Sequence, residues 1–184
     1  MVQPIYLYGS EVLRKEAAPV DLNEKEEIAR LVADLKETLA KAEGCGLAAP
    51  QIGISKRVAI VDATGMEEAY PYLEGFSRVL INPVVTEESE EQCVFEEGCL
   101  SIPGVYADVR RPSRITVTYY DENLNPATET FDRFGCRMVQ HELSHLDGDM
   151  FVDHVAPIRK KIISKKLSNI AHGRVGARYN TKIK

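Results

Sequence analysis

The chain has 184 residues, 44% of them hydrophobic and 28% charged, with a formal net charge of −5. That length and composition suit one well-packed globular domain. No apolar run reaches the roughly 18–20 residues that carry a helix across a bilayer, which excludes a helical membrane protein.

The opening "MVQPIYLYGSEVLRKEAAPV" lacks a basic start followed by an apolar core, so a cytoplasmic location is expected, with neither membrane nor DNA as a partner. In that compartment the four cysteines, Cys45, Cys93, Cys99 and Cys136, read mostly as small buried hydrophobes. A special one among them would serve a metal or catalysis.

In chain order, "SEVLRKEA" (10–17) reads as a short helix or turn. From Asn23 to about Ala42, apolar residues fall at Ile28, Leu31, Val32, Leu35 and Leu39, the stripe of a helix with one buried face. Asn23 is expected to cap it, with Glu24, Glu26 and Glu27 at its positive end and Gly44 as its stop. Three β-branched stretches, 57–63, 78–86 and 114–121, are predicted strands, and 126–133 is a weaker fourth that pairs with 114–121 through a turn at "ENLN".

A helix follows from about Asp132 to Leu146, closed by Gly148. A last helix spans Pro157 to Ala171, with Ile158, Ile162, Ile163, Leu167 and Ile170 as its apolar side. Strands in the middle and helices at either end predict an α+β domain over 1–184, not a βαβ array. Its end is basic: residues 159–184 hold nine Lys/Arg and no Asp/Glu, whereas the first 158 residues hold 14 basic and 28 acidic side chains. Such a segment suits an acidic partner such as RNA, or simply a solvated end.

The chemistry gathers in three segments. In "QHELSHLDG" (140–148), His141 and His145 stand four apart, on one face of a helix, and offer two imidazoles to one metal ion. Glu142 lies beside that face, where it can act on water as a general base without being a ligand. Phe134, Arg137 and Met138 precede His141 by seven, four and three residues, so they extend the same face and either wall an apolar pocket or pack as ordinary core.

A catalytic site needs a third protein ligand. His154 and His172 are poorly placed, and Cys99 in "FEEGCLSIPG" (95–104) is the better candidate, although a buried inert thiol would look the same locally. Finally, "GCGLAAPQ" (44–51) has small residues that let the backbone approach a ligand, and Gln51 offers an amide N–H to an oxyanion.

"GCGLAAPQ", "EGCLS" and "QHELSHLDG", in this order and at these separations, resemble the three signature motifs of peptide deformylases. "EVLRKEAAPV" resembles that family's opening segment, and the likeness covers roughly residues 4–155.

The resemblance implies mixed, mainly antiparallel sheets around a central metal-binding helix, with an N-terminal and a C-terminal helix. It implies Cys99, His141 and His145 as ligands of one divalent ion, Fe²⁺ by family habit, with Zn²⁺, Ni²⁺ or Co²⁺ as alternatives. Glu142 would be the base and then the acid, and Gln51 with the Leu100 N–H would form the oxyanion hole. The substrate would be the N-formylmethionine end of a nascent peptide. Its side chain would enter a pocket of Phe95, Phe134, Met138 and Cys45, and its backbone would lie along Gly44–Gly46 and Gly98–Leu100. Glu97 and Arg137 are counted with these substrate-binding residues, and the basic end is a candidate contact with the ribosome.

One position departs from the family pattern. The residue before the second histidine is usually Asp, and here it is Ser144, which cannot form a salt bridge to an arginine such as Arg111. Two other readings compete. A zinc endopeptidase would need Asp147, Asp149 or His154 as third ligand, and a binding module with a structural metal or none would not need Glu142.

Overall fold

The computed structural model describes residues 1–184. It is α+β, with three α-helices and mostly antiparallel sheets. After a short strand β1 (Ile5–Tyr6) and a 3-10 turn (Glu11–Arg14) comes helix α1 (Lys25–Ala42). Its stripe is buried as expected at Ile28, Leu31, Val32, Leu35 and Leu39. Both ends differ from expectation. Glu24 holds the N-cap position, because Asn23 instead donates its side-chain and backbone N–H groups to Asp21, both at 2.9 Å. Glu43, not Gly44, takes the left-handed conformation that ends the helix, with φ 55°.

The four predicted strands join one antiparallel sheet with a short fifth strand that was not expected. Short β2 (Gly46–Ala48), β3 (Val58–Asp62), β4 (Ser77–Glu88), β7 (Arg114–Tyr120) and β8 (Pro126–Asp132) lie in the order β2-β3-β4-β7-β8. The turn at "ENLN" is made by Asp121, whose carboxylate accepts the N–H groups of Asn123 and Asn125 at 2.9 Å. A second sheet, the hairpin of β5 (Gln92–Cys99) and β6 (Ile102–Pro112), was not expected from the sequence. Its inward positions include Glu97 and Arg111, charged residues that break the apolar alternation by which half-buried strands are recognised.

Helix α2 (Arg133–Leu146) packs on β2, β3, β7 and β8, and Gly135–Gln140, Glu142, Leu143, His145 and Leu146 are all buried. Gly148 ends its last turn with φ 74°, and a Cβ there would sit 2.6 Å from the Arg14 carbonyl oxygen, so only glycine fits. Helix α3 (Pro157–Ala171) packs on β6 through Ile163, Leu167 and Ile170. Ile158 and Ile162, expected on the same buried side, are instead 75% and 64% exposed. The chain then returns, and β9 (Thr181–Lys182) pairs in parallel with β1. No helix is long and apolar enough to cross a membrane.

Candidate active site

A cleft of about 900 Å³ opens where β2, the end of β5 and the middle of α2 meet. Its lining includes Gly44, Cys45, Gly46, Gln51, Gly98, Cys99, Leu100, Phe134, Met138, His141 and Glu142. Residues from three distant sequence segments thus line one cleft. Phe95 is not part of the lining; it packs edge-on behind Phe134, ring centroids 5.6 Å apart.

Helix periodicity carries His141 and His145 to one side, and their rings lie 5.2 Å apart. Cys99 comes from the other direction, at the end of β5, where the pairing with β6 shifts register between Glu97 and Cys99. Such a bulge re-aims the strand end. Its Sγ lies 3.2 Å from His145 Nε2, and the three donor atoms of Cys99, His141 and His145 all fall within 4.8 Å of one another. No other group of three His, Cys, Asp or Glu side chains converges in this way. His154 and Asp149 pair with each other at the surface and Asp147 pairs with Arg57, so no third ligand beyond the helix is offered.

One thiolate and two imidazoles suit a divalent metal. Two observations fit such a guest. His141 holds its ring through Nδ1, 2.8 Å from Glu97, which leaves Nε2 for the cleft. Its imidazole is also held well above the usual range: burial opposes the charge, but Cys99 and Glu97 outweigh it, so the spot favours a cation. His145 is pushed the other way, by burial and then by the charges of His141 and Arg111, and stays a neutral donor.

Glu142 is 4% exposed, and its Oε2 is buried with no hydrogen-bond partner. Burial pushes its carboxyl up to about 7. Gly46 makes room for it, since a Cβ there would lie 2.9 Å from Glu142 Cδ. Gln51 has a fixed orientation. Its Oε1 accepts the Ala48 N–H at 2.9 Å, so Nε2 must face the cleft, where it donates to Ser101 Oγ at 3.1 Å and towards Cys99 Sγ at 3.5 Å. Ser101 stands inside the quoted "EGCLS" segment and was not singled out from sequence.

Glu97 and Arg137 border the cleft, but their polar groups are engaged elsewhere. Glu97 accepts from Arg111 Nε and Nη2 at 2.8 and 3.1 Å, from Arg137 Nη1 at 2.8 Å, and pairs with His141. Arg137 also donates to the Val109 and Cys93 carbonyls, at 2.7 and 2.9 Å, and so clasps the β5–β6 hairpin to α2. Both stay on the cleft lining, and the same contacts brace its walls. Ser144 belongs to the same network. Its Oγ accepts from Arg111 Nη1 at 2.9 Å and donates to the Gln140 carbonyl at 3.0 Å, so the arginine keeps a partner there without a counter-charge.

The family model of polypeptide deformylases matches residues 2–161. A peptide deformylase of Cytophaga hutchinsonii is 38% identical over 182 residues, covering 99% of this chain and 97% of that protein. One from Fusobacterium nucleatum is 41% identical over 171 residues, covering 92% of this chain and 93% of that protein. Among solved structures, the peptide deformylase of Thermus thermophilus superposes with a TM-score of 0.81 at 35% identity, over 95% of this chain and all of that one. The peptide deformylase from Legionella pneumophila does so at 0.81 and 33% identity, over 95% of this chain and 98% of that one. The chain therefore belongs to the polypeptide deformylase family, metal-dependent enzymes that remove the N-formyl group from nascent peptides.

Proposed function

We propose that Cys99, His141 and His145 hold one divalent cation and that Glu142, Gln51 and the Leu100 N–H act around it on the formyl group of a formylmethionyl peptide. The observation that carries this reading is the convergence of the three donor atoms beside a buried, unpartnered carboxylate. Fe²⁺ is the proposed resident ion, with Zn²⁺, Ni²⁺ or Co²⁺ as substitutes. When bound, the ion polarises the formyl oxygen and makes water a stronger acid. Glu142 accepts the proton of the attacking water, in the space that Gly46 leaves open to it, and returns that proton to the leaving amine nitrogen.

Charge that grows on the formyl oxygen is met by donors already in place. Gln51 Nε2 gives up its long 3.5 Å contact with the thiol for that oxygen and keeps its bond to Ser101. The methionine side chain enters the pocket beside Phe134, Met138 and Cys45, with Phe95 supporting Phe134 from behind. The peptide backbone adds along β2, an edge strand with an open side, and along Gly98–Leu100. Ribosome association belongs to the same reading and rests on the nine basic residues of 159–184. It should weaken steeply as salt is raised.

The test is formate release from formyl-Met-Ala-Ser under anaerobic conditions, with metal analysis on the same sample. Anaerobic work matters because a thiolate ligand beside Fe²⁺ oxidises in air. Cys99→Ala is expected to lose metal and activity together. Full metal occupancy in that variant would overturn the ligand assignment.

A further inference from the structure

The family match ends at residue 161, yet the end of the chain returns to the cleft. The Asn180 and Lys182 carbonyls accept the N–H groups of Ile5 and Leu7, both at 2.9 Å, and β9 lies along β1. This strap places Ala177, Arg178 and Tyr179 on the cleft wall. Half-buried Tyr179 donates its hydroxyl to the Leu100 carbonyl at 2.6 Å. The next carbonyl, of Ser101, accepts the Tyr8 N–H at 2.8 Å. The tight turn between β5 and β6 is therefore tied at two successive carbonyls, one by each end of the chain. Leu100 carries both the tied carbonyl and, on the other side of the same Cα, the N–H that faces the reaction in the reading above.

We propose that Tyr179 is a positioning residue for deformylation: its hydroxyl ties the Leu100 carbonyl so that the Leu100 N–H meets the developing charge without rearranging. This rests on Leu100 and Gln51 as the oxyanion donors. A donor that acts only on charge in the transition state contributes to kcat and little to KM. Preorganisation is the property at stake, since a turn free to rotate must be ordered at the moment of reaction.

The test is Tyr179→Phe, which keeps the ring and its packing and removes one hydroxyl. Rates are taken per metal-loaded chain, so loss of metal or of folded protein does not count as loss of kcat. We expect kcat to fall about three- to tenfold, the equivalent of one hydrogen bond, with KM within about twofold. Amide exchange over Cys99–Ile102 in the metal-free protein should quicken in parallel. An unchanged kcat, or a change confined to KM, would overturn the proposal even if Tm falls, because a purely structural tie would move Tm alone. Gln51→Leu in the same assay separates the two levels. If it keeps full kcat, the oxyanion assignment itself fails; if it loses kcat while Tyr179→Phe does not, only the role of Tyr179 fails.

Discussion

Two carboxylates flank the cleft with nearly the same exposure, 5% for Glu97 behind its wall and 4% for Glu142 at its floor, and they have opposite surroundings. Glu97 is met by Arg111, Arg137 and His141, and although burial opposes its charge, His141 and Arg111 hold its carboxyl well below the usual range. Glu142 has a buried oxygen with no partner and is pushed up to about 7. Burial alone does not decide what a glutamate does. A carboxylate surrounded by fixed donors is spent on structure, whereas one left unpartnered beside open space is free to take and return a proton.

The largest expected effect tests the floor. Glu142→Gln should keep the fold and the metal while kcat for formate release drops about 10²–10⁴-fold. A rate near the starting one would mean that the unpartnered carboxylate is only a packing defect.

Glu97→Gln should do the reverse, mainly in stability. It leaves Arg111 and Arg137 buried without their shared anion, which is expected to cost about 3–5 kcal/mol in denaturant titrations. Because the partner of His141 Nδ1 loses its charge, metal affinity should fall about 10–100-fold as well. If Glu97→Gln instead lowered kcat with metal and stability intact, the division between the two glutamates would be wrong.

A more exposed carboxylate sharpens the contrast. Asp153 is paired with Arg14 at 2.6 Å. Burial opposes its charge, but the Arg14 bonds and the Met150 N–H outweigh that and bring it to about 2, from an ordinary 3.8. A lowered folded value means stability that is complete above about pH 4 and lost as pH falls towards 2. Comparing acid unfolding of Asp153→Asn with the parent should show a difference of less than about 1 kcal/mol at neutral pH, vanishing at the acid end. A difference as large as that of Glu97→Gln would show that the number of partners is not what separates these sites.

Ser144→Asp should have the smallest effect. It restores a charge beside Arg111 in a network that already holds the guanidinium by Glu97 and by the Ser144 hydroxyl. We expect kcat within about twofold and Tm higher by no more than a few degrees. A sharp loss of metal would show that Ser144 is not an exchangeable support.

Much of the site was legible before any fold was known. The i, i+4 spacing of His141 and His145 fixes their common face by helix geometry alone, with Glu142 beside it. Small residues around Cys45 and Gln51 announced a close approach. Local patterns also placed four of the five strands of the main sheet, all but β2, and all three helices, because their apolar periods survive in the sequence. The β5–β6 hairpin was not legible because Glu97 and Arg111 fill inward positions that period-2 reading expects to be apolar. Ile158 and Ile162 misled because a helical stripe can be wider than the surface that β6 offers to cover it.

The sequence by itself offered two imidazoles with a carboxylate beside them, which residue type and near-neighbour spacing carry, and the family likeness, through which alone Cys99 joined them. Only the tertiary structure decided which groups remain free to act. It paired Glu97 with Arg137, pinned Gln51 through the Ala48 N–H, and returned Tyr179 to the Leu100 turn across 79 residues of chain. These are consequences of where a buried polar group finds its partner. Partners distant in sequence leave no periodic trace in it.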